Sequence, residues 1–552
     1  MLLSCNDVCG EMVMAAIVYQ TSKQTGITYA YESLSYWDKE KQQSRAKRRC
    51  IGRVDPETKE ILPTRKRSST KASGNHEDVQ KRGPVPITDV SRGFYGATYL
   101  FDAIGEKLGT TADLKKCFPD TYKQILSTAY YLILEDRNPL SRFPKWAATH
   151  KHPYEKNIPS QRSSELFAAI TEDAKGHFFR LQGKRRVEQE YWAYDTTSIS
   201  SYSRCLSQVR YGANKDHEPL PQINLALLFG EESNLPFYYR KLAGNIPDVK
   251  TVKNLLADID FFGFDKIKLV MDRGFYSESN INDLYHNHLK FLIAAKVSLK
   301  FVKTELDKVR DSMRTWTSYS QKHDLYAHST KIDWVYSQDR PYKGDTLKEK
   351  RRMYLHLYFN SERALEDEKN FNILLCTLQA ELESGKRDPE HENQYAKYFD
   401  IKTTPARGTK VTARQELIAE AKKNYGYFVL LSNEVKDSIE ALEIYRNKDL
   451  VEKAFGNLKD RLNFSRTAVS SDQSLDGKLF VEFIALIHLS YLKKKMQDKN
   501  LFKKYTMQEL LDEFDIIECF EQPGHELRVG EVTKKQIELY EAMDITPPTS
   551  LH

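Results

Sequence analysis

The sequence predicts a mixed α/β protein with more than one domain. Between residues 186 and 299, segments rich in β-branched and aromatic residues alternate with segments of helical periodicity. A further strand pattern covers residues 425–433, and a long amphipathic helix pattern follows it over residues 441–462. With 552 residues, the chain is long enough to bury a large core and to form several domains.

The composition describes a charge-rich protein with a mild basic excess. It has 84 Lys and Arg residues against 77 Asp and Glu residues, a formal net charge of +7, so local basic clusters matter more than the total. The seven cysteines are scattered and none forms a CxxC pair, which argues for a reducing compartment and against a zinc module. The apolar run at 480–492 is interrupted by Glu482 and His488 and is too short to span a bilayer. We therefore expect a cytoplasmic protein that does not contact a membrane.

The first 185 residues are expected to form two regions ahead of the main α/β segment. Residues 1–85 contain the alternating stretch ITYAYESLSYWD, which predicts a β-rich module. Residues 86–185 show helical periodicity and predict a helical subdomain. The first region also carries a basic cluster that could contact a DNA backbone or could be an exposed linker: Lys47, Arg48, Arg49, Arg53, Arg65, Lys66, Arg67 and Lys71.

Residues 186–299 have the order of elements expected of an RNase H-like core. Three strand patterns are followed by a helix at 249–260, a strand, a helix at 279–288 and a last strand. In that fold the first and fourth strands lie side by side. Asp195 is in the first of them and Asp272 ends the fourth, so we expect the two carboxylates to lie close together.

The rest of the chain is predicted to interrupt and then complete this core. Asp272 and Glu452 are separated by 180 positions (452 − 272), which is far more than the fold needs. The interruption contains the strand patterns KIDWVYS and YLHLYFN and a charged helix pattern, and we expect a mostly β insertion domain. The expected regions after residue 185 are the first part of the core at 186–299, the insertion at 300–423, the second part of the core at 424–500 and a helical tail at 501–552.

The helix pattern at 441–462 places four functional groups along one edge of its apolar stripe. Tyr445, Lys448, Glu452 and Lys459 lie three, seven and fourteen positions apart, counted from Tyr445. A carboxylate flanked by a phenol and two ammonium groups suits a glutamate that binds a metal while its neighbours hold phosphates. The alternative is a solvated helix face with ion pairs four residues apart, such as Lys448 with Glu452.

The spacing Tyr-x2-Lys-x3-Glu-x6-Lys resembles the signature of DDE transposases of the IS-four superfamily of bacterial insertion sequences. The family usually has arginine where this chain has Lys448, which keeps the charge but loses the bidentate geometry. The segments DTTSIS and DRGF also resemble the family's segments. The resemblance implies a catalytic, metal-binding triad of Asp195, Asp272 and Glu452. It also implies DNA contacts by Tyr445, Lys448, Lys459 and Arg273.

The resemblance further implies cut-and-paste transposition. Two Mg²⁺ ions, for which Mn²⁺ can substitute, would support DNA cleavage and then strand transfer. The expected partners are the double-stranded terminal inverted repeats of an insertion sequence and the target DNA, bound by a homodimer in a synaptic complex. The expected location is the bacterial cytoplasm, at the nucleoid. Two alternatives remain: an RNase H-like nuclease that cuts without joining, and a DNA-binding protein that has lost catalysis.

Overall fold

A computed structural model gives the conformation of most of the chain. The backbone contacts separate two compact units, Met1–Pro86 and Ile87–His552. The residues that the structure describes are 14–23, 25–38, 43–63, 91–186, 190–264, 267–340, 342–404, 408–462, 464–522 and 525–549.

The first unit contains a four-stranded antiparallel sheet. Its strands lie in the order β1-β2-β3-β4, with bounds Met14–Thr21, Thr28–Asp38, Gln43–Val54 and Ile61–Leu62. Strand β3 carries Lys47 opposite Leu34 and Arg49 opposite Glu32, so the first half of the predicted basic cluster lies on this sheet. The second half, Arg65, Lys66, Arg67 and Lys71, lies outside the described residues.

The second unit begins with a short strand and a group of helices. Strand β5 pairs with a strand near the end of the chain. The helices after it bury aromatic and aliphatic residues of the predicted helical region, such as Phe101 and Tyr130. The bounds are β5 Ser91–Phe94, α1 Gly96–Leu108, α2 Thr110–Cys117, α3 Tyr122–Leu134, α4 Phe143–Ala147, α5 Ser160–Ala169 and α6 Glu172–Arg186.

The mixed α/β class is confirmed by a large sheet with helices around it. The core segment supplies β6 Tyr191–Ser200, β7 Gln222–Gly230, β8 Pro236–Ala243, α7 Asp248–Phe262, β9 Lys268–Met271, α8 Glu278–His286 and β10 Lys290–Ala295. These five strands lie in the order β8-β7-β6-β9-β10. Strand β9 is parallel to β6 and to β10, whereas β7 is antiparallel to both of its neighbours. The first and fourth strands of the segment are therefore adjacent, as predicted.

The following segment extends the same sheet and adds a smaller helical cluster. Strand β13 pairs with β16 (Tyr427–Ser432), so the sheet continues as β10-β16-β13-β12-β11. The helices bury Phe371, Leu378 and Tyr395 in a core of their own, so the described residues here are mixed in structure and not mostly β. The bounds are α9 Lys300–Val309, β11 Tyr319–Ser320, β12 Leu325–Arg340, β13 Asp345–Phe359, α10 Ser361–Ser384, α11 Glu392–Tyr398, β14 Phe399–Thr404, β15 Gly408–Ala413 and α12 Gln415–Lys422.

The helix predicted over 441–462 is helical but divided. It consists of α13 (Ser438–Asn447), α14 (Asp449–Gly456) and a π-helical turn at Asn457–Arg461. Around the division the backbone hydrogen bonds follow the 3₁₀ pattern. The Lys448 N–H donates to Tyr445 O and the Val451 N–H donates to Lys448 O, in each case to the residue three positions earlier. The prediction of one regular helix was wrong at this point, and Lys448, the residue at the division, is buried.

A long buried helix runs through the core and follows the divided helix in the chain. It is α15, Asp472–Asp498, and it packs against α3 and α5. The chain ends with α16 Met507–Asp515, β17 Glu518–Glu521, β18 Arg528–Val529 and α17 Lys534–Ala542, so the described tail contains strands as well as helices. Within the described residues, no helix combines the length and the apolarity needed to cross a bilayer.

Glu482 makes the stability of this core depend on pH. It is fully buried in α15, with Lys478 Nζ 3.6 Å from its Oε1. Burial raises the pKa of Glu482 from 4.5 to about 8, although Lys478 opposes the shift. The stabilising contribution of a carboxyl with a raised pKa is fully present below pH 4.5 and is lost as the pH rises through about 8.

We therefore expect Glu482→Gln to stabilise the protein increasingly as the pH rises from 4.5 to about 8, with the full gain above that value. The amide cannot ionise. The free energy of unfolding of the variant should therefore exceed that of the wild type at pH 9 by a few kcal/mol, on the order of the free energy that corresponds to the pKa shift of Glu482. Near pH 4.5 the two proteins should unfold alike. Thermal unfolding at both pH values measures this, with the exposed Glu538→Gln as the control. An equal change in unfolding temperature at both pH values would contradict a raised pKa of Glu482.

Candidate functional site

The two predicted aspartates lie on adjacent parallel strands, Asp195 within β6 and Asp272 directly after β9. Tyr194 of β6 is in register with Met271 of β9, so Asp195 and Asp272 are the next residues along the pair. Asp195 is buried and its Oδ1 accepts a 2.8 Å hydrogen bond from the Thr196 N–H. Asp272 precedes a short helical turn, and its Oδ1 accepts a 2.7 Å bond from the Arg273 N–H. The backbone thus fixes both carboxylates.

Glu452 reaches the same place from α14. Its side chain is 62% exposed, and it lines one cavity of about 560 Å³ together with Asp195 and Asp272. The structure therefore brings the three predicted carboxylates together from three separate segments of the chain. A cavity that is open on one side can admit a strand of a polymer while the aspartates remain at its base.

Lys448 lies among these carboxylates and not on the surface. Its side chain is only 4% exposed, and its Nζ lies 3.8 Å from Asp195 Oδ2 and 3.4 Å from Glu452 Oε1. Burial lowers the pKa of Lys448, but Asp195, Asp272 and Glu452 outweigh it and leave a net rise. The ammonium therefore stays charged and balances part of the negative charge of the cavity.

The two aspartates differ in how easily they ionise. Burial raises the pKa of Asp195, with Lys215 and Lys448 opposing the shift. Burial also acts to raise the pKa of Asp272, but there the hydrogen bond from the Tyr445 hydroxyl and the Arg273 N–H outweighs it, and the pKa is lowered. The Tyr445 bond is 2.8 Å long.

The other predicted DNA-contacting residues surround the carboxylates. Arg273 is exposed beside Asp272, whereas the Tyr445 hydroxyl is bonded to Asp272 itself. Lys459 lines the cavity, and its Nζ donates to Asp216 Oδ2 at 2.6 Å. Their contact with DNA stays a prediction.

The donor set fits a hard divalent cation. Asp195, Asp272 and Glu452 offer carboxylate oxygens to one cavity, and among the described residues that line it none is histidine or cysteine. Oxygen ligands without nitrogen or sulfur favour Mg²⁺ or Mn²⁺ over zinc. These three residues would hold the metal, which would activate a water or hydroxyl nucleophile and stabilise charge at a reacting phosphate.

The sequence interpretation missed Asp248, a further carboxylate of the cavity. It is the first residue of α7, and the Thr196 hydroxyl donates to its Oδ1 at 2.5 Å. Lys215, which precedes β7, is 3.1 Å from Asp248 Oδ2. An acidic residue at the start of a helix commonly stabilises the helix dipole. The sequence alone therefore offers no reason to prefer a role for Asp248 in the site.

Comparison with known proteins gives one match at the level of a family. A family model described as "Transposase DDE domain" matches residues 188–487, which include all three carboxylates. No curated protein sequence matches. Among solved structures, the chain is similar to a cryo-EM structure of the piggyBac transposase synaptic complex with hairpin DNA, at 11% identity and a TM-score of 0.31. That similarity covers 76% of this chain and 70% of the other.

Proposed function

The chain belongs to the transposase DDE domain family, and from this membership we propose how its cavity acts on DNA. The protein is a DNA transposase, an enzyme of a class that depends on divalent metal. The observation that carries the proposal is the grouping of Asp195, Asp272 and Glu452 in one cavity. We propose that these residues form the catalytic triad and hold two Mg²⁺ ions. The all-oxygen donor set supports this assignment.

In the proposed reaction, the protein's own residues orient the DNA backbone and hold the ligands in place. Tyr445 keeps Asp272 oriented through its hydroxyl, and Lys448 balances the charge of Asp195 and Glu452. Arg273 is exposed next to Asp272 and would contact a phosphate beside the scissile bond. Lys459 would exchange its bond with Asp216 for a phosphate when DNA enters, and Tyr445 and Lys448 would complete the contact.

We further propose membership of the IS-four superfamily and a cut-and-paste reaction. The Tyr445, Lys448, Glu452 and Lys459 spacing supports the superfamily assignment. The substrates would be the terminal inverted repeats of an insertion sequence and a target DNA, bound by a homodimer in the bacterial cytoplasm. The RNase H-like order of the five core strands is consistent with this chemistry.

Cleavage and joining on the element's own DNA test this function. The purified chain is incubated with the DNA that flanks its coding sequence, a target plasmid and Mg²⁺, Mn²⁺ or EDTA. We expect metal-dependent cuts at the two ends, followed by joining of the 3′ ends to the plasmid. Cutting without joining would identify a nuclease instead, and binding without cutting in either metal would identify a DNA-binding protein without catalysis.

A further inference from the structure

Asp248 touches both of the segments that carry the catalytic aspartates. Its Oδ1 accepts the hydroxyl of Thr196, the residue after Asp195. On its other side, a Cβ placed on Gly274 would lie 3.5 Å from Asp248 Oδ2. Gly274 is two residues after Asp272, so the start of α7 places Asp248 beside both segments that carry the aspartates.

Lys215 lies between Asp248 and Asp195. Its Nζ is 3.1 Å from Asp248 Oδ2 but 3.7 Å from Asp195 Oδ1. The same ammonium donates to Thr196 O at 2.6 Å and to Thr196 Oγ1 at 2.7 Å. One lysine is thus shared by two carboxylates and held nearer to Asp248.

We propose that Asp248 is a positioning residue that keeps the Lys215 ammonium away from Asp195. Asp248 Oδ1 accepts from the Thr196 hydroxyl and Asp248 Oδ2 pairs with Lys215, and through these two partners it would act on Asp195. Asp195 then keeps its negative charge available for a divalent cation. This inference rests on the proposed role of Asp195 as a metal ligand.

Removal of the Asp248 charge would redirect Lys215. Without it, Asp195 is the nearest carboxylate to the Lys215 ammonium among the described residues, already only 3.7 Å away. Because the attraction between opposite charges grows as their separation shortens, Lys215 would close onto Asp195. The lysine would then compete with a divalent cation for the same oxygen.

Mn²⁺ binding to the full chain without DNA tests this arrangement. Titration calorimetry or the electron paramagnetic resonance signal of free Mn²⁺ gives the affinity independently of cleavage. We expect Asp248→Asn to weaken Mn²⁺ binding about tenfold or more, and Lys215→Met alone to tighten it about threefold. The double variant should bind Mn²⁺ as tightly as Lys215→Met, because Asp248 then has no ammonium to hold, whereas independent effects of the two charges would leave it about threefold weaker than the wild type.

A purely structural role of Asp248 predicts a different pattern. In that case Lys215→Met would not rescue Asp248→Asn, and the double variant would bind Mn²⁺ as weakly as Asp248→Asn or more weakly. The matched control is Asp258→Asn on the same helix, whose partners are Tyr238 and Arg240; it should leave Mn²⁺ affinity unchanged.

Three results would overturn the proposal: wild-type Mn²⁺ affinity in Asp248→Asn, failure of the double variant to recover, or unchanged affinity in Lys215→Met. The last applies even if Asp248→Asn does not fold, because the Lys215 side chain is 38% exposed and its replacement spares the core. A wild-type chain that binds Mn²⁺ but does not cut DNA refutes the proposed reaction and leaves this test readable. A wild-type chain that does not bind Mn²⁺ refutes both.

Discussion

Glu452→Gln is expected to abolish DNA cleavage and strand joining, by at least about 10³-fold, while DNA binding changes by less than about threefold. The amide has the size of the carboxylate but lacks its charge. Loss of one anionic ligand removes several kcal/mol of metal-dependent stabilisation at the reacting phosphate, and each 1.4 kcal/mol, roughly, is a factor of ten in rate. The side chain is 62% exposed on α14, so the fold should not change.

The measurement is single-turnover cleavage of end-containing DNA, with binding followed separately by fluorescence anisotropy. Glu440→Gln is the matched control, because Glu440 is exposed on α13 and lies outside the residues that line the cavity. It should cleave at the wild-type rate. Cleavage by Glu452→Gln within tenfold of the wild type would remove Glu452 from the catalytic triad.

Gly477→Ala is expected to destabilise the second unit by roughly 3 kcal/mol or more, the upper end for overpacking of a core. A Cβ on Gly477 would lie 2.1 Å from the Phe167 carbonyl oxygen and 2.4 Å from its Cα. These are backbone atoms at the end of α5, so no side-chain rotation relieves the overlap. Helices α5 and α15 would have to separate, and thermal or urea unfolding measures the loss.

The matched control is the same substitution at Gly456, the last residue of α14. A Cβ there meets nothing within 4 Å. Alanine favours a helix over glycine by about 1 kcal/mol, so Gly456→Ala should be neutral or stabilising. Equal effects of the two substitutions would show that close approach of α15 to α5 is not what Gly477 provides.

The order of the core elements could be predicted because it depends on local patterns. Alternation and β-branched residues mark β6 to β10, and the connection rules for such elements place β6 beside β9. Asp195, within β6, and Asp272, directly after β9, are then neighbours. Helical spacing placed Glu452 on a helix that faces them.

The rest depends on contacts that local patterns do not contain. The pairing of β13 with β16 joins residues about 70 positions apart, and no sequence period reports such a pairing. The division at Lys448 breaks the regular helical spacing. The prediction that Lys448 lies at the edge of the apolar stripe relied on that spacing. Asp248 reaches the cavity only because α7 starts beside Thr196 and Gly274, which is a tertiary arrangement.

The distribution of the three carboxylates along the chain has a consequence for protein synthesis. Asp195 and Asp272 leave the ribosome 180 residues or more before Glu452 (452 − 272). At the usual elongation rates this interval lasts roughly 10 to 40 s. Throughout it, a nascent chain has both aspartates but cannot complete the proposed triad, and α15, which supports the core, follows later still. A chain that ends before residue 452 therefore lacks one carboxylate of the proposed triad.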